Sequence, residues 1–306
     1  MAAALHGSGY RYATVTLGCD SPHRPREAAD CAALVARLAS YSCDSDDRST
    51  DASAFTAGAF DAGAARALVS WSPSPLELAT PALATAQQGP VLLISSVTKR
   101  WPRQATAVLE DIDLELGAGE LCWLTGENGA GKTTLLRIIA GIISPDNGRI
   151  AVCGVEARSS RLAYQQQIGL LTAGNSGLFA RMTARQNLDY WARLAFVPRG
   201  QRSGRVDEAI ERFGISALAG RRTDRMSMGQ RQRVRIALAF LHRPALILLD
   251  EPVNSLDDEG CAVLAGALDD HKALGGSALW CSPGGDKPGV EVERRLQLFA
   301  GALRAR

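Results

Sequence analysis

Apolar positions along this chain change their spacing, and the changes predict where strands and helices lie. Apolar and polar residues alternate from 108 to 116, which is typical of a half-buried strand. The continuous apolar run at 245–249 predicts a parallel strand covered on both faces. Further β-like runs predict strands at 91–97, 121–124, 149–153, 168–171, 277–281 and 295–299, and 144–148 reads as a turn.

Helical spacing appears mainly after residue 180. Thr183 precedes a segment whose apolar residues recur on one helical face, so we expect a helix to begin there. Two more helices are predicted at about 206–213 and 228–241, and Leu264 and Leu268 mark another. Strands interleaved with helices predict an α/β domain over residues 89–306, with a helical insertion, or subdomain, at about 180–227.

Residues 1–88 have a different character. They are rich in Ala, Ser, Asp and Gly, and their six arginines against nine acidic residues give a charge of −3. The stretch 45–51 predicts low order, and a short helix is predicted around 28–38. We interpret residues 1–88 as a low-order extension or a translation start placed too far upstream; a small accessory domain is the alternative.

Composition narrows the class of protein. Hydrophobic residues make up 46% and charged residues 22% of the chain, as in ordinary globular proteins. The net charge of +2 argues against a nucleic-acid partner. No apolar run is long enough to cross a bilayer, and seven scattered cysteines without a C-x-x-C pair predict reduced thiols in a cytosolic protein.

A glycine-rich segment between the predicted strand 121–124 and a following apolar helix carries the strongest chemical signal. Its spacing is G-x-x-x-x-G-K-[ST], in which backbone N–H groups surround phosphate oxygens. The lysine reaches the β- and γ-phosphates and the next hydroxyl ligates Mg²⁺. A plain glycine turn with a surface lysine is the alternative. The predicted nucleotide-binding residues are Gly126, Glu127, Asn128, Gly129, Ala130, Gly131, Lys132, Thr133 and Thr134.

A carboxylate pair follows the apolar run at 245–249. Asp250, at the end of a buried strand, is placed to hold Mg²⁺ through water, and Glu251 to polarise an attacking water. Alone, such a pair would be read as a solvated strand end. Downstream of a phosphate loop it predicts catalysis by Glu251 and Lys132, with Thr133 and Asp250 as the metal residues.

The segment 226–233 reads Met-Ser-Met-Gly-Gln-Arg-Gln-Arg and opens the helix before that strand. With the two preceding motifs, it resembles the ATP-binding subunit of ATP-binding-cassette (ABC) transporters over roughly residues 91–306. The resemblance implies a P-loop NTPase fold with a β-rich N-terminal part, ATP and Mg²⁺ as cofactors, and a dimer. Its nucleotide-sealing segment is L-S-G-G-Q, which implies that Ser227, Gly229 and Gln230 contact the nucleotide of a second copy; Met228 replaces the first glycine.

Two other segments match the same family. Trp101 lies where the family places an aromatic residue that stacks on adenine; a core tryptophan is the alternative. Residues 254–257 resemble the segment that crosses between two cassettes. Phe179, Tyr190 and Trp191 would border the groove that receives the permease, unless they form the core of the helical subdomain.

Two departures from the family predict slow ATP hydrolysis. The family usually has a glutamine after the strand at 168–171, whereas residues 172–175 read Thr-Ala-Gly-Asn, with Asn175 as the candidate substitute. Pro283 stands where a histidine usually contacts the γ-phosphate, and His271 belongs to the preceding helix. Losing one such donor slows turnover by about 10²–10³.

The resemblance thus implies an ATPase that powers an exporter through a separate membrane permease. Residues 227–230 and 256–260 look similar to cytochrome-c-maturation haem exporters and to polysaccharide or drug exporters. We expect a cytoplasmic protein held at the inner face of the membrane by its permease, paired with a second copy or a paralogue. The alternatives are a soluble ABC ATPase of translation, repair or iron–sulfur assembly, and a regulatory ATP-binding module that does not hydrolyse.

Overall fold

The computed structural model describes residues 12–16, 55–57, 66–71, 89–102, 106–174, 176–283 and 289–305. The chain divides into two units, residues 1–79 and 80–306. In the first unit, β1 (Tyr12–Thr16), β2 (Phe55–Ala57) and β3 (Arg66–Trp71) form an antiparallel sheet in the order β1-β3-β2. The predicted helix at 28–38 and the stretch 45–51 lie outside the described residues. The role of residues 1–88 stays a prediction.

A six-stranded sheet, in the order β13-β12-β6-β11-β10-β9, forms the centre of the second unit. Neighbouring strands are parallel except at β13, which pairs antiparallel with β12. The strand bounds are β6 Leu121–Thr125, β9 Ile168–Leu171, β10 Leu246–Asp250, β11 Ser277–Ser282, β12 Arg294–Phe299 and β13 Ala302–Ala305. The sequence pattern predicted all of these but β13.

A four-stranded antiparallel sheet, in the order β5-β4-β7-β8, packs beside it. Its strands are β4 Leu92–Lys99, β5 Leu109–Leu116, β7 Asn147–Val152 and β8 Val155–Glu156. The turn predicted at 144–148 is wrong at its last two residues, because Asn147 and Gly148 already belong to strand β7. Gly148 suits this strand since a Cβ there would lie 2.5 Å from the Ser96 carbonyl oxygen.

Six α-helices occur in the described part of the chain. They are α1 Lys132–Ile139, α2 Arg161–Gln166, α3 Ala184–Leu194, α4 Arg199–Arg212, α5 Met228–Phe240 and α6 Asp258–Ala273. Helix α4 begins directly after Pro198, earlier than predicted. The predicted start was too late because two glycines in the first half of the helix weaken the helical pattern. The sequence analysis missed α2, whose start is capped by Ser160.

The central strands bury both faces. Trp123, Leu249 and Trp280 face a core shared with α3 to α6. Their neighbours Leu124, Leu248 and Cys281 face a second core shared with α1 and the antiparallel sheet. Two cores explain why these strands read as continuous apolar runs rather than alternating ones, and the α/β P-loop architecture is confirmed. Among the described residues, no helix is long and apolar enough to cross a membrane.

Candidate functional site

The glycine-rich loop joins β6 to α1, as predicted. Gly129 and Gly131 have φ values of +84° and +105°, which favour glycine. A Cβ at Gly126 would lie 2.6 Å from the Leu298 carbonyl oxygen, and one at Gly131 would lie 2.9 Å from that of Val108. Glycine therefore lets the loop pass close to two neighbouring backbones and turn into the N-terminus of α1.

Lys132 is folded into this loop. Its side chain is only 6% exposed, and its Nζ donates hydrogen bonds to the carbonyl oxygens of Gly126 at 2.7 Å and Glu127 at 2.9 Å. The ammonium and the first N–H groups of α1 place positive charge on the loop. The outer loop residues Glu127, Asn128 and Gly129 are exposed, whereas Ala130, Thr133 and Thr134 are half-buried.

Thr133 and Asp250 meet beside the loop, as the sequence predicted. The Thr133 hydroxyl donates to Asp250 Oδ2 at 2.8 Å, and Asp250 is 3% exposed. Burial raises the pKa of Asp250, and so does the Glu251 charge, whereas hydrogen bonds from Thr133 and the Ala173 backbone N–H lower it. A buried carboxylate beside a hydroxyl is an oxygen donor set of the kind Mg²⁺ prefers, so these residues fit the ion.

Glu251 leaves the strand with an unusual backbone. Its φ is +50°, a region that non-glycine residues rarely occupy. The Glu251 N–H donates to the Cys281 carbonyl at 2.9 Å, and Asn254 Nδ2 donates to the Glu251 carboxylate at 2.7 Å. This contact of Asn254 was missed, because only its place in the segment 254–257 could be read from the sequence.

The catalytic candidates lie together at the carboxyl ends of the parallel strands, and the strand order explains why. Strand β11 lies between β6 and β10, and Ser282 pairs with Thr125 at the level of the phosphate loop. Pro283 follows directly and is exposed at this edge. His271 lies in α6, buried, with Nε2 3.2 Å from the Ser277 carbonyl oxygen, so it is committed elsewhere.

Ser227 begins α5 at the exposed surface of the unit. A reciprocal capping box joins Ser227 and Gln230: Ser227 Oγ accepts from the Gln230 N–H at 3.2 Å, and Gln230 Oε1 accepts from the Ser227 N–H at 3.1 Å. Gly229 is packed, since a Cβ there would lie 2.6 Å from the Ser255 carbonyl oxygen. Met228 is 52% exposed, so the segment presents its helix start to solvent.

Trp101 follows β4 and is half-buried, with Lys99 Nζ 5.5 Å from its ring centroid. The Val108 N–H donates to the Lys99 carbonyl at 2.8 Å, and Val108 also lies against Gly131. Val108 therefore contacts both the end of β4, which leads to Trp101, and the phosphate loop.

The segment after β9 is held by side chains that sequence reasoning missed. Arg235 and Gln232, both 6% exposed on α5, bond to backbone carbonyls of this segment and of Pro252. The sequence offered one sign of this contact, namely an arginine, Arg235, among the apolar residues of the predicted helix at 228–241. Asn175, the candidate substitute for glutamine, lies outside the described residues.

An aromatic cluster lies on α3 and the segment before it. The rings of Phe179 and Tyr190 meet edge to face at 4.8 Å between centroids, and those of Tyr190 and Trp191 at 6.2 Å. Phe179 is 44% and Tyr190 38% exposed. Asn187 anchors the cluster from inside, because it is fully buried and bonds to both backbone groups of Phe179.

Comparison with known families and proteins agrees with this geometry. Residues 109–254 match the family described as ABC transporter. That span begins with β5 and ends at Asn254, so it contains the phosphate loop, the start of α5 and both carboxylates.

Curated relatives carry related names. "ABC transporter ATP-binding protein NatA" of Bacillus subtilis is 40% identical over 155 residues, which is 51% of this chain and 63% of that relative. "Sulfate/thiosulfate import ATP-binding protein CysA" of Thermosynechococcus vestitus is 40% identical over 149 residues, 49% of this chain and 44% of that relative. "Methionine import ATP-binding protein MetN" of Geobacillus kaustophilus is 35% identical over 193 residues, 60% of this chain and 56% of that relative. The chain thus spans between 44% and 63% of the length of these relatives, less than two thirds of each.

Solved structures support the fold. The ATP-binding subunit of an ABC transporter superposes with a TM-score of 0.61 at 24% identity, covering 70% of this chain and 88% of that one. A dimeric bacterial ABC transporter cassette gives 0.61 at 21% identity, covering 69% of this chain and 96% of that one. At these identities the likeness concerns fold alone.

Proposed function

We propose that this chain, which carries an ABC transporter ATP-binding domain, binds and hydrolyses ATP as one half of a nucleotide-clamped pair. Members of this family bind ATP with Mg²⁺. Each nucleotide would lie between the phosphate loop of one copy and the Ser227 segment of its mate, which is either a second copy or a paralogue.

One observation carries the proposal. Lys132 and Thr133 begin the helix that follows β6, Asp250 ends β10 with Glu251 directly after it, and the Thr133–Asp250 hydrogen bond joins the two places at the carboxyl ends of the parallel strands. Lys132 and the loop N–H groups would bind the phosphates. Thr133 and Asp250 would hold Mg²⁺, which supplies positive charge to the phosphates when bound. Glu251, oriented by Asn254, would accept a proton from the attacking water.

The second half of each site would come from the mate. In favour of this, Ser227 and Met228 are exposed, and the start of a helix favours an anionic γ-phosphate. The half-buried Trp101 would stack on the adenine. Pro283 offers no side-chain donor at the sheet edge, so we expect turnover about 10²–10³ slower than with a donor there.

Coupling to transport would use the aromatic cluster on α3. Phe179 and Tyr190 remain exposed although their rings pack against each other, which is typical of an interaction surface. A cytoplasmic helix of a separate integral membrane permease is the partner we propose, and it would hold the chain at the inner face of the membrane.

We propose export as the direction of transport. Export is favoured by the likeness of 227–230 and 256–260 to exporter ATPases. Import is the second candidate, because several relatives are named as import proteins for sulfate, spermidine or methionine. Uptake or release of a labelled solute by vesicles that contain the permease would decide between them.

Phosphate release by the purified chain tests the enzymatic part. Glu251→Gln should lower the rate of Mg-ATP hydrolysis at least about 100-fold while nucleotide affinity stays within twofold. Glu211→Gln, an exposed change on α4, is the matched control and should hydrolyse like the parent. Equal turnover in parent and Glu251→Gln would exclude Glu251 as the base, and binding without phosphate release would favour the regulatory alternative.

A further inference from the structure

Arg235 is a buried cation held by neutral oxygen acceptors. Its guanidinium donates to the Ser176 carbonyl at 2.9 Å and to Gln232 Oε1 at 2.6 Å, and it also bonds to the Thr172 carbonyl. Burying a guanidinium costs free energy unless its donors are satisfied. With a further contact to the Thr172 hydroxyl, four donor contacts fix the positions of Thr172 and Ser176 relative to α5.

The backbone that Arg235 holds leads directly to the metal-binding carboxylate. Strands β9 and β10 are parallel neighbours, and the last residues that pair between them are Leu171 and Leu249. Thr172 and Asp250 follow directly, so the backbone that Arg235 holds lies beside Asp250, whose Oδ2 accepts from the Thr133 hydroxyl at 2.8 Å. A shift of Thr172 would move the backbone that flanks the Asp250 carboxylate.

Gln232 extends the same connection to the next strand. Its Oε1 accepts from Arg235, and its Nε2 donates to the Pro252 carbonyl at 2.8 Å. Pro252 directly follows Glu251. Helix α5 thus holds the chain just beyond the ends of β9 and β10 with two adjacent buried side chains, and the helix starts at Ser227.

We propose that Arg235 is a positioning residue that keeps Asp250 oriented for the divalent cation, by fixing Thr172 beside Asp250 where β9 and β10 end. This inference deepens the proposed function and rests on it. Arg235 touches neither nucleotide nor metal in this account. It acts through the backbone of residues 172 and 173.

The test measures metal and nucleotide separately. Mn²⁺ affinity, followed by electron paramagnetic resonance with a saturating non-hydrolysable ATP analogue, reports the Asp250 site. Affinity for a fluorescent ATP analogue in EDTA reports the phosphate loop alone. Arg235→Met should weaken Mn²⁺ binding about tenfold, because the backbone beside Asp250 is no longer held in place, with nucleotide affinity in EDTA within twofold of the parent.

Three variants keep the test decisive. Arg235→Lys retains the charge but not the planar fork, so it should weaken Mn²⁺ binding about threefold, and it decides the matter if Arg235→Met does not fold. Gln232→Glu still accepts from Arg235 but no longer donates to Pro252, so its Mn²⁺ affinity should stay within twofold. Arg231→Met, which removes a half-buried arginine bonded to the Met226 carbonyl, is the matched control.

Two results would overturn the proposal. One is parent-like Mn²⁺ affinity in Arg235→Met, or in Arg235→Lys where the first variant does not fold. The other is an equal loss of Mn²⁺ affinity and of nucleotide affinity in EDTA, which would mark general damage. A parent that binds no nucleotide would instead refute the proposed function itself.

Discussion

Replacing Gly229 with alanine should separate a packing requirement from ordinary helix propensity. Gly229 lies in the first turn of α5, and its Cα approaches the segment that follows Glu251: an added Cβ would stand 2.6 Å from the Ser255 carbonyl oxygen. Gly229 is half-buried and Ser255 exposed, so relieving this contact requires the backbone at Ser255 to shift by roughly 0.5 Å. Ser255 itself has a φ of +69°, so its backbone has little freedom to move.

Two opposing effects set the magnitude. Alanine is favoured over glycine within a helix by about 0.5–1 kcal/mol, whereas forcing an extra carbon into a packed contact costs about 1–3 kcal/mol. The expected net effect is a destabilisation of about 1 kcal/mol, or a melting temperature lower by about 2–4 °C for a unit of this size. Displacing Ser255 should also weaken ATP-dependent pairing of two chains.

Gly266→Ala supplies the matched control. Gly266 is exposed within α6, and a Cβ there meets no atom within 4 Å. This variant should gain about 0.5–1 kcal/mol, so the two glycine variants should move in opposite directions in urea or thermal denaturation. If Gly229→Ala stabilises the protein as much as Gly266→Ala, then α5 and Ser255 are not in close contact and the reasoning is refuted.

Three further changes have defined outcomes. Lys132→Met should weaken binding of a fluorescent ATP analogue about 10–100-fold, because a charge-assisted bond to phosphate is lost; the exposed change Arg137→Met, on the same helix, should leave binding unchanged. Burial lowers the pKa of His271 from 6.5 to about 4, so the unfolded chain binds more protons and stability falls as pH drops from 6.5 towards 4, by about 3 kcal/mol. Burial also lowers the pKa of His242 to about 4, so His271→Gln should roughly halve that slope, and an unchanged slope would contradict the assignment. Asn187→Ala should destabilise the protein by about 2–3 kcal/mol, since it removes the acceptor of the Phe179 N–H and a buried donor to the Phe179 and Met182 carbonyls; a loss below about 0.5 kcal/mol would show that these bonds are dispensable.

The sequence predicted those parts of the structure in which a local pattern decides the outcome. The phosphate loop, the strand that ends at Asp250 and the capped start of α5 were all readable, because each requires particular residue types at fixed spacing. Continuous apolar runs also identified the two-sided sheet. Helix α4 was predicted too short because Gly200 and Gly204 carry little helical signal.

Long-range contacts could not be predicted in this way. The bond from Asn254 to Glu251 depends on the left-handed backbone at Glu251, and the contacts of Arg235 depend on how α5 packs across the end of β9. Single-residue spacing carries no information about such pairs, since their geometry follows from the tertiary fold. The sequence pattern likewise gave no hint of the antiparallel sheet formed by β1, β2 and β3.

We propose that two chains close around ATP, each sealing the other's nucleotide with Ser227. Light scattering coupled to size exclusion gives the mass of Glu251→Gln in solution, with and without Mg-ATP. We expect the mass of one chain without nucleotide, that of two chains with it, and no pairing when Ser227→Arg is added. A single-chain mass with ATP fully bound, or pairing that survives Ser227→Arg, would contradict it.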